Sequence, residues 1–289
     1  MRTRLLVLLA IALAVSARAE STINAANKYA YGANVGWINA RADITNGAVI
    51  GEYACAGYLY GANIGWIHLG NGTPTNGIRY GNESGDDWGV NHDGLGQLSG
   101  CAYGANVGWI VFEQTYGQPK VSLLTGILSG SAYGANIGWI SLSNAQAFVE
   151  TDALRDTDSD GDGIPDPYEY RHTNDLDVLT ATGDFDHDGV PDVDEATADT
   201  GAMSSNDNLR VTQLNELGGG TTSRVSWLSR ETRLYYVETA SGMSNSSSWA
   251  DSGLGVQAPD AGDTTTREFP DTASTSQFYR VKAVKPPAL

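Results

Sequence analysis

The chain has 289 residues, with 34 Asp and Glu against 17 Lys and Arg, giving a formal net charge of -17 and a pI near 4.4. So few cations cannot neutralise a run of phosphates, which excludes nucleic acid as an expected partner and disfavours an anionic membrane surface. Its 35 glycines against 9 prolines, with 41% hydrophobic residues, predict short strands joined by tight turns: a mainly β protein of two or three small domains.

Residues 1–19 read as a signal peptide. Arg2 and Arg4 precede the apolar run from Leu5 to Val15, and Ala17-Arg18-Ala19 supplies the small-x-small pattern of a cleavage site. The run is shorter than the roughly 20 apolar residues a membrane helix needs. The expectation is a secreted, extracellular or cell-surface protein whose mature chain starts at Glu20 and carries no transmembrane segment. Export permits a disulfide between Cys55 and Cys101, the two cysteines of the chain. Against it, the two sit three residues out of step relative to the repeat described next, which in stacked strands is beyond disulfide reach. The pairing stays open at this point.

Residues 20–149 contain one octapeptide four times. Tyr31-Gly-Ala-Asn-Val-Gly-Trp-Ile38 recurs at 60–67, 103–110 and 133–140, at intervals of 29, 43 and 30 residues. Such periodicity predicts a four-fold β repeat domain, a solenoid or a related architecture, with about three short strands per unit. Gly-Ala-Asn supplies the turn and Ile/Val-Gly-Trp-Ile the strand after it. Alternation puts the β-branched residue and the Trp on one face, and predicts Trp37, Trp66, Trp109 and Trp139 as a ladder of core aromatics; the alternative is a row of exposed aromatics that bind sugar rings. Asn34, Asn63, Asn106 and Asn136 are read as turn residues.

Residues 150–207 hold 18 of the acidic residues and only Arg155 and Arg171 of the basic ones, a local charge of -16. Two stretches share the pattern D-x-D-x-D-G-[IV]-P-D-x-x-E, beginning at Asp158 and at Asp184. Side-chain oxygens at positions 1, 3, 5, 9 and 12, a main-chain carbonyl at 7 and a glycine at 6 describe a Ca²⁺ loop, because a hard cation takes six to eight oxygens. Asp156 falls outside this register and is read as a neighbouring residue. The two stretches resemble the bacterial thrombospondin type 3 repeat, an EF-hand-like calcium loop of exported modular proteins. The resemblance implies structural calcium on Asp158, Asp160, Asp162, Ile164 (main chain), Asp166 and Glu169, and on Asp184, Asp186, Asp188, Val190 (main chain), Asp192 and Glu195. Pro165 and Pro191 depart from an ordinary EF-hand, since they cannot donate to the short strand pair that couples two such loops. A rigid calcium-filled spacer between two β domains follows.

Residues 208–289 return to alternation, in Leu209–Leu214, Ser223–Leu228, Leu234–Glu238 and Gln277–Lys282. Five or six such strands suit a small β-sandwich, and the region resembles the fibronectin type III-like sandwiches of exported proteins.

Catalytic motifs are absent: His68, His92, His172 and His187 have no zinc spacing, and there is no nucleophile elbow or phosphate loop. The best ligand or enzyme candidate is the insertion in the 43-residue interval, Asn82-Glu83-Ser84-Gly85-Asp86-Asp87-Trp88-Gly89-Val90-Asn91-His92-Asp93. Its carboxylates beside an aromatic suit sugar recognition or glycoside cleavage. The sequence thus predicts a non-catalytic, calcium-binding modular protein with a binding or scaffolding role toward an extracellular glycan or a cell-surface protein. Its alternative is a carbohydrate-active enzyme or carbohydrate-binding protein using the 82–93 loop.

Overall fold

The computed structural model describes residues 20–42, 45–242, 248–270 and 277–288; residues 1–19, read above as a signal peptide, lie outside the described residues. Twelve strands precede the first helix. They are β1 (Ile23–Gly32), β2 (Gly36–Asn39), β3 (Ala56–Gly61), β4 (Gly65–Asn71), β5 (Val90–His92), β6 (Leu98–Gly104), β7 (Gly108–Phe112), β8 (Lys120–Val121), β9 (Leu128–Ser129), β10 (Ser131–Gly134), β11 (Gly138–Ser141) and β12 (Val149–Thr151).

Each octapeptide folds into one hairpin. In the first, Val35 N donates to Gly32 O at 3.1 Å, and the same bond recurs in the other three at 3.0 to 3.1 Å. The β-branched side chain then folds back under the strand it follows. A Cβ on Gly32 would lie 2.6 Å from Val35 Cγ2, so the first glycine of the motif is the space its own turn residue fills. The second glycine, Gly36 at φ +81, re-enters the strand in a conformation that L side chains rarely adopt.

The four hairpins close on one another. β1, β2, β3, β4, β6, β7, β10 and β11 pair antiparallel in chain order, and β11 returns to β1 through Tyr31↔Ser141 and Gly32↔Ile140. The result is an eight-strand barrel without a free edge. The asparagines clasp it: Nδ2 of Asn34 donates to Ile137 O, Asn63 to Val35 O, Asn106 to Ile64 O and Asn136 to Val107 O, at 3.0 to 3.1 Å. Each bond joins one hairpin to the one before, and the first joins the last. The period therefore marks closure into a ring, not the open stacking of a solenoid.

An eight-strand barrel is only wide enough inside for its side chains to fill it. Here the filling is Val35, Ile64, Val107 and Ile137 from the turns, with Ile38, Ile67, Ile110 and Ile140 from the strands. The second set faces Ala30, Leu59, Ala102 and Ala132 across the ladder. The octapeptide tryptophans are outside: Trp37, Trp66, Trp109 and Trp139 are 44 to 47% exposed, so the expected ladder of core aromatics does not form. The β-branched residue sits in the turn, and its inward direction comes from the turn and not from strand alternation. The strand proper carries Gly, Trp and Ile, and places Ile inward.

Opposite the hairpin tips, the strand ends Leu69, Leu98 and Phe112 and the longer connections, with Ile50, Cys55, Val90, Val121, Leu128, Leu142 and Leu154, cap the barrel and are continuous with the interior. Both cysteines are free thiols. Cys55 is fully buried, which pushes its thiol up to about 12, and Cys101 donates to Asn82 Oδ1 at 3.1 Å.

The acidic segment carries two short helices, α1 (Asp166–His172) and α2 (Asp192–Ala198), each entered from an extended proline, Pro165 or Pro191. After them come β13 (Val211–Leu217), β14 (Thr222–Leu228), β15 (Leu234–Ala240), β16 (Ala250–Asp251), β17 (Thr264–Pro270) and β18 (Phe278–Val284). These form two three-stranded sheets, β13-β14-β17 and β16-β15-β18, around a shared core that includes Trp227, Tyr235, Val237 and Phe269.

The acidic segment does not hold two domains apart. It is wedged where they already meet. Arg233, just before β15, is 2% exposed; it binds Glu52 of the barrel cap at 2.5 Å and donates to the Ala196 and Thr197 carbonyls at the end of α2. Arg171 of α1 donates to the Tyr53 hydroxyl and pairs with Asp199 at 3.1 Å. Asp156 accepts the amides of Glu52, Tyr53 and Ala54, so its role is to staple the segment to the barrel. Among the described residues no helix is long and apolar enough to cross a membrane.

Candidate metal centre

The two acidic loops share two local bonds, from the sixth residue to the first and from the seventh to the fifth. In the first, Asp158 accepts the amides of Gly161 and Gly163 while Asp162 accepts that of Ile164. In the second, Asp184 accepts the amides of Asp188 and Gly189 while Asp188 accepts that of Val190. Gly163 and Gly189, the sixth residues, turn the chain at φ +97 and +94. Each loop thereby gathers three carboxylates: one oxygen each from Asp158, Asp160 and Asp162, and likewise from Asp184, Asp186 and Asp188, lie within 4.8 Å of one another.

The twelfth residue closes each loop from its helix. Glu169 and Glu195 are 0% exposed, and both oxygens of Glu169 and Oε2 of Glu195 have no hydrogen-bond partner. Burial, then the neighbouring Asp160 and Asp162, pushes the Glu169 carboxyl up to about 8; burial, then Asp186 and Asp188, does the same for Glu195. Asp162 Oδ2 and Asp186 Oδ2 are also buried without partners. A buried carboxylate without donors costs several kcal/mol. Three unpartnered oxygens in the first loop and two in the second, each beside its aspartate triad, suit a hard divalent cation at each loop, and the residues present fit calcium.

The ninth residues do something else. Asp166 takes the amide and hydroxyl of Ser159 at 2.7 and 2.6 Å, and Asp192 takes the amides of Phe185 and Thr180 at 2.8 and 3.1 Å. With both oxygens so engaged, they tie the loops shut and stand outside the aspartate triads. Behind the loops, Ile164, Tyr168, Leu179, Ala196 and Ala202 form one small core that joins the two sites. The prolines at position 8 carry no strand pairing between the loops.

Asp87, Asn91 and Asp93 of the 82–93 insertion bind the main chain of the flanking residues. Asp87 accepts the amides of Thr75 and Gly81, Asp93 those of Leu95 and Gln97, and Asn91 bonds the main chain of Tyr80 in both directions. Asn82 accepts from Gly89, while Glu83, Ser84, Gly85 and Asp86 are exposed. His92 is buried with Nδ1 against Gly51 O at 3.0 Å, and burial lowers its pKa. Val90 belongs to the capping core. Trp88 alone reaches out of the loop, edge-on to Trp109 at 5.1 Å. Sequence reasoning missed the Glu52, Arg233 and Asp156 junction, for which a lone Arg and a lone Glu 181 residues apart give no signal.

Comparison with known proteins returns no matching family model, no similar curated protein and no similar solved structure.

Proposed function

We propose that the protein is an exported, calcium-stabilised module with a non-catalytic binding or scaffolding role outside the cell, its two acidic loops acting as thrombospondin type 3-like structural calcium sites. In this reading Asp158, Asp160, Asp162 and Glu169 hold one ion with the Ile164 carbonyl, and Asp184, Asp186, Asp188 and Glu195 hold the other with the Val190 carbonyl. Asp166 and Asp192 brace the loops. The observation that carries the reading is the pair of fully buried glutamates beside the aspartate triads, Glu169 with neither oxygen partnered and Glu195 with Oε2 unpartnered. Bound calcium would supply the missing positive charge and fix α1 and α2, so that its binding free energy becomes stability of the three-way junction. The C-terminal pair of sheets is read as a small fibronectin type III-like sandwich. A non-catalytic role is supported by the 82–93 loop, whose Asp87 and Asp93 are engaged by the flanking main-chain amides of Gly81 and Gln97.

Calorimetric titration of chelator-treated protein tests this. The expected result is about two calcium ions per chain with dissociation constants of roughly 10⁻⁴ to 10⁻³ M, as in extracellular modules. The Glu169→Gln chain should keep one. No uptake at millimolar calcium overturns the reading.

A further inference from the structure

The octapeptide keeps Tyr and Trp in all four copies although neither fills the interior. Each pair is a cross-strand contact with ring centroids 4.9 to 5.0 Å apart, so four aromatic pairs girdle the barrel. Between one pair and the next stands the outward residue that follows the motif's Ile: Asn39 beside Tyr60, His68 beside Tyr103, Val111 beside Tyr133 and Ser141 beside Tyr31. Only His68 is aromatic.

At His68 the four-fold equivalence breaks. Tyr58 stacks on its ring at 4.4 Å and 14°, and also meets Trp66 at 5.9 Å. From the other side the insertion lays Trp88 against His68 at 5.3 Å, against Trp109 at 5.1 Å and against Tyr103 at 6.1 Å. Two separate pairs thus become one surface of seven rings.

That surface leads into a cleft of about 1010 Å³ between the barrel connections and the acidic segment. His68 and Tyr58 form its aromatic side; Asn71, Thr73, Asn76 and Tyr170 line the rest. The Oδ1 atoms of Asn71 and Asn76 are held by backbone amides, which fixes both side chains, while no described residue accepts from their Nδ2 groups. The acidic side chains of the lining are Asp156, Asp158 and Asp166, against one basic residue, Arg155, whose guanidinium is engaged by the Glu20 carbonyl.

We propose that this fused aromatic surface and its cleft form a binding track for a neutral glycan chain. Aromatic faces suit the C–H faces of sugar rings, and fixed amide donors with threonine hydroxyls suit their hydroxyl groups. The carboxylate-rich lining of a strongly acidic chain repels uronates, sulfated glycans and nucleic acid, and the polar cleft rejects a purely apolar peptide. The proposal rests on the binding role above, and because Asp158 and Asp166 of the first acidic loop line the cleft it is tested with calcium saturating.

Affinity electrophoresis tests it. The purified full chain, in saturating calcium, is run through gels cast with β-glucan, xylan, galactomannan or α-glucan, and with polygalacturonate as the anionic control. Retardation by at least one neutral polymer is expected, lost about tenfold in Trp88→Ala and His68→Ala and kept in Trp37→Ala and Trp139→Ala, which alter girdle pairs outside the fused surface. Trp88→Phe, which preserves a ring, should retain most of it. No retardation by any neutral polymer, stronger retention by polygalacturonate, or equal loss in Trp37→Ala overturns the track. Calcium uptake by the same sample separates the two readings, because lost glycan binding with normal uptake sinks the track alone.

Discussion

The barrel and the acidic connector are both built by repetition, four copies of an octapeptide and two of a twelve-residue pattern, yet they satisfy their polar groups in opposite ways. In the barrel every copy completes its neighbour: an asparagine finds a carbonyl in the preceding hairpin, and the first hairpin closes on the last. In the connector each copy gathers acceptors and supplies too few donors, leaving Glu169 and Glu195 buried without full partners. A repeat that closes on itself needs nothing further to be stable. A repeat that concentrates like charge is completed by something from outside, and a divalent cation fits. The same physical demand, that buried polar groups be paired, is met within the octapeptide ring and left unmet in the acidic loops.

The largest test of this contrast lies at the seam between the two regions. Arg233→Met removes the guanidinium from the buried Glu52 and frees the last carbonyls of α2, and should destabilise by about 3 to 5 kcal/mol in thermal or urea unfolding. A loss below about 1 kcal/mol would mean that the regions are stable independently of their junction.

Inside the barrel, Ile67→Ala should cost about 2 to 5 kcal/mol, while Trp66→Ala, two-fifths exposed and paired only across the strand, should cost about 0.5 to 1.5 kcal/mol. Equal costs would contradict the inward isoleucine and outward tryptophan.

The connector should respond to pH as the barrel does not. Without metal, Glu169 and Glu195 titrate in the folded chain near 8, above their unfolded value, so protonation favours the fold. Their contribution is fully present below about pH 4.3 and is lost as pH rises toward 8. Chelated protein should therefore lose melting temperature between pH 5 and 8. Added calcium should abolish that decline. A flat chelated profile would show that these carboxyls are not buried together.

The smallest effect belongs to the clasp. Asn106→Ala removes one bond, to Ile64 O, and should cost about 0.5 to 1.5 kcal/mol in chemical denaturation. A cost well above the others of its kind would single out that seam of the ring.

What was readable in the sequence was local. Each acidic loop is a twelve-residue affair whose amide bonds join residues two to five apart, so its pattern survives as text. The hairpin turn was readable for the same reason, as were the C-terminal strands near Ser223–Leu228 and Leu234–Glu238, observed at Thr222–Leu228 and Leu234–Ala240. The direction of the tryptophans was not. Period-two alternation fixes that Trp37 and Ile38 point to opposite sides but not which side is the core, and Val35 gave a false vote because it belongs to the turn.

The sequence by itself determined that a four-fold unit must pack against copies of itself and that two acidic patterns gather oxygens, because both follow from spacing along one short segment. Only the tertiary structure decided that four units make a closed ring, that the tryptophans face solvent, and that Asp166 and Asp192 brace the loops. It alone brought Glu52 to Arg233 across 181 residues and Trp88 onto a girdle that was complete without it. Closure and junctions depend on which surfaces meet after folding, and spacing along the chain carries no record of those meetings.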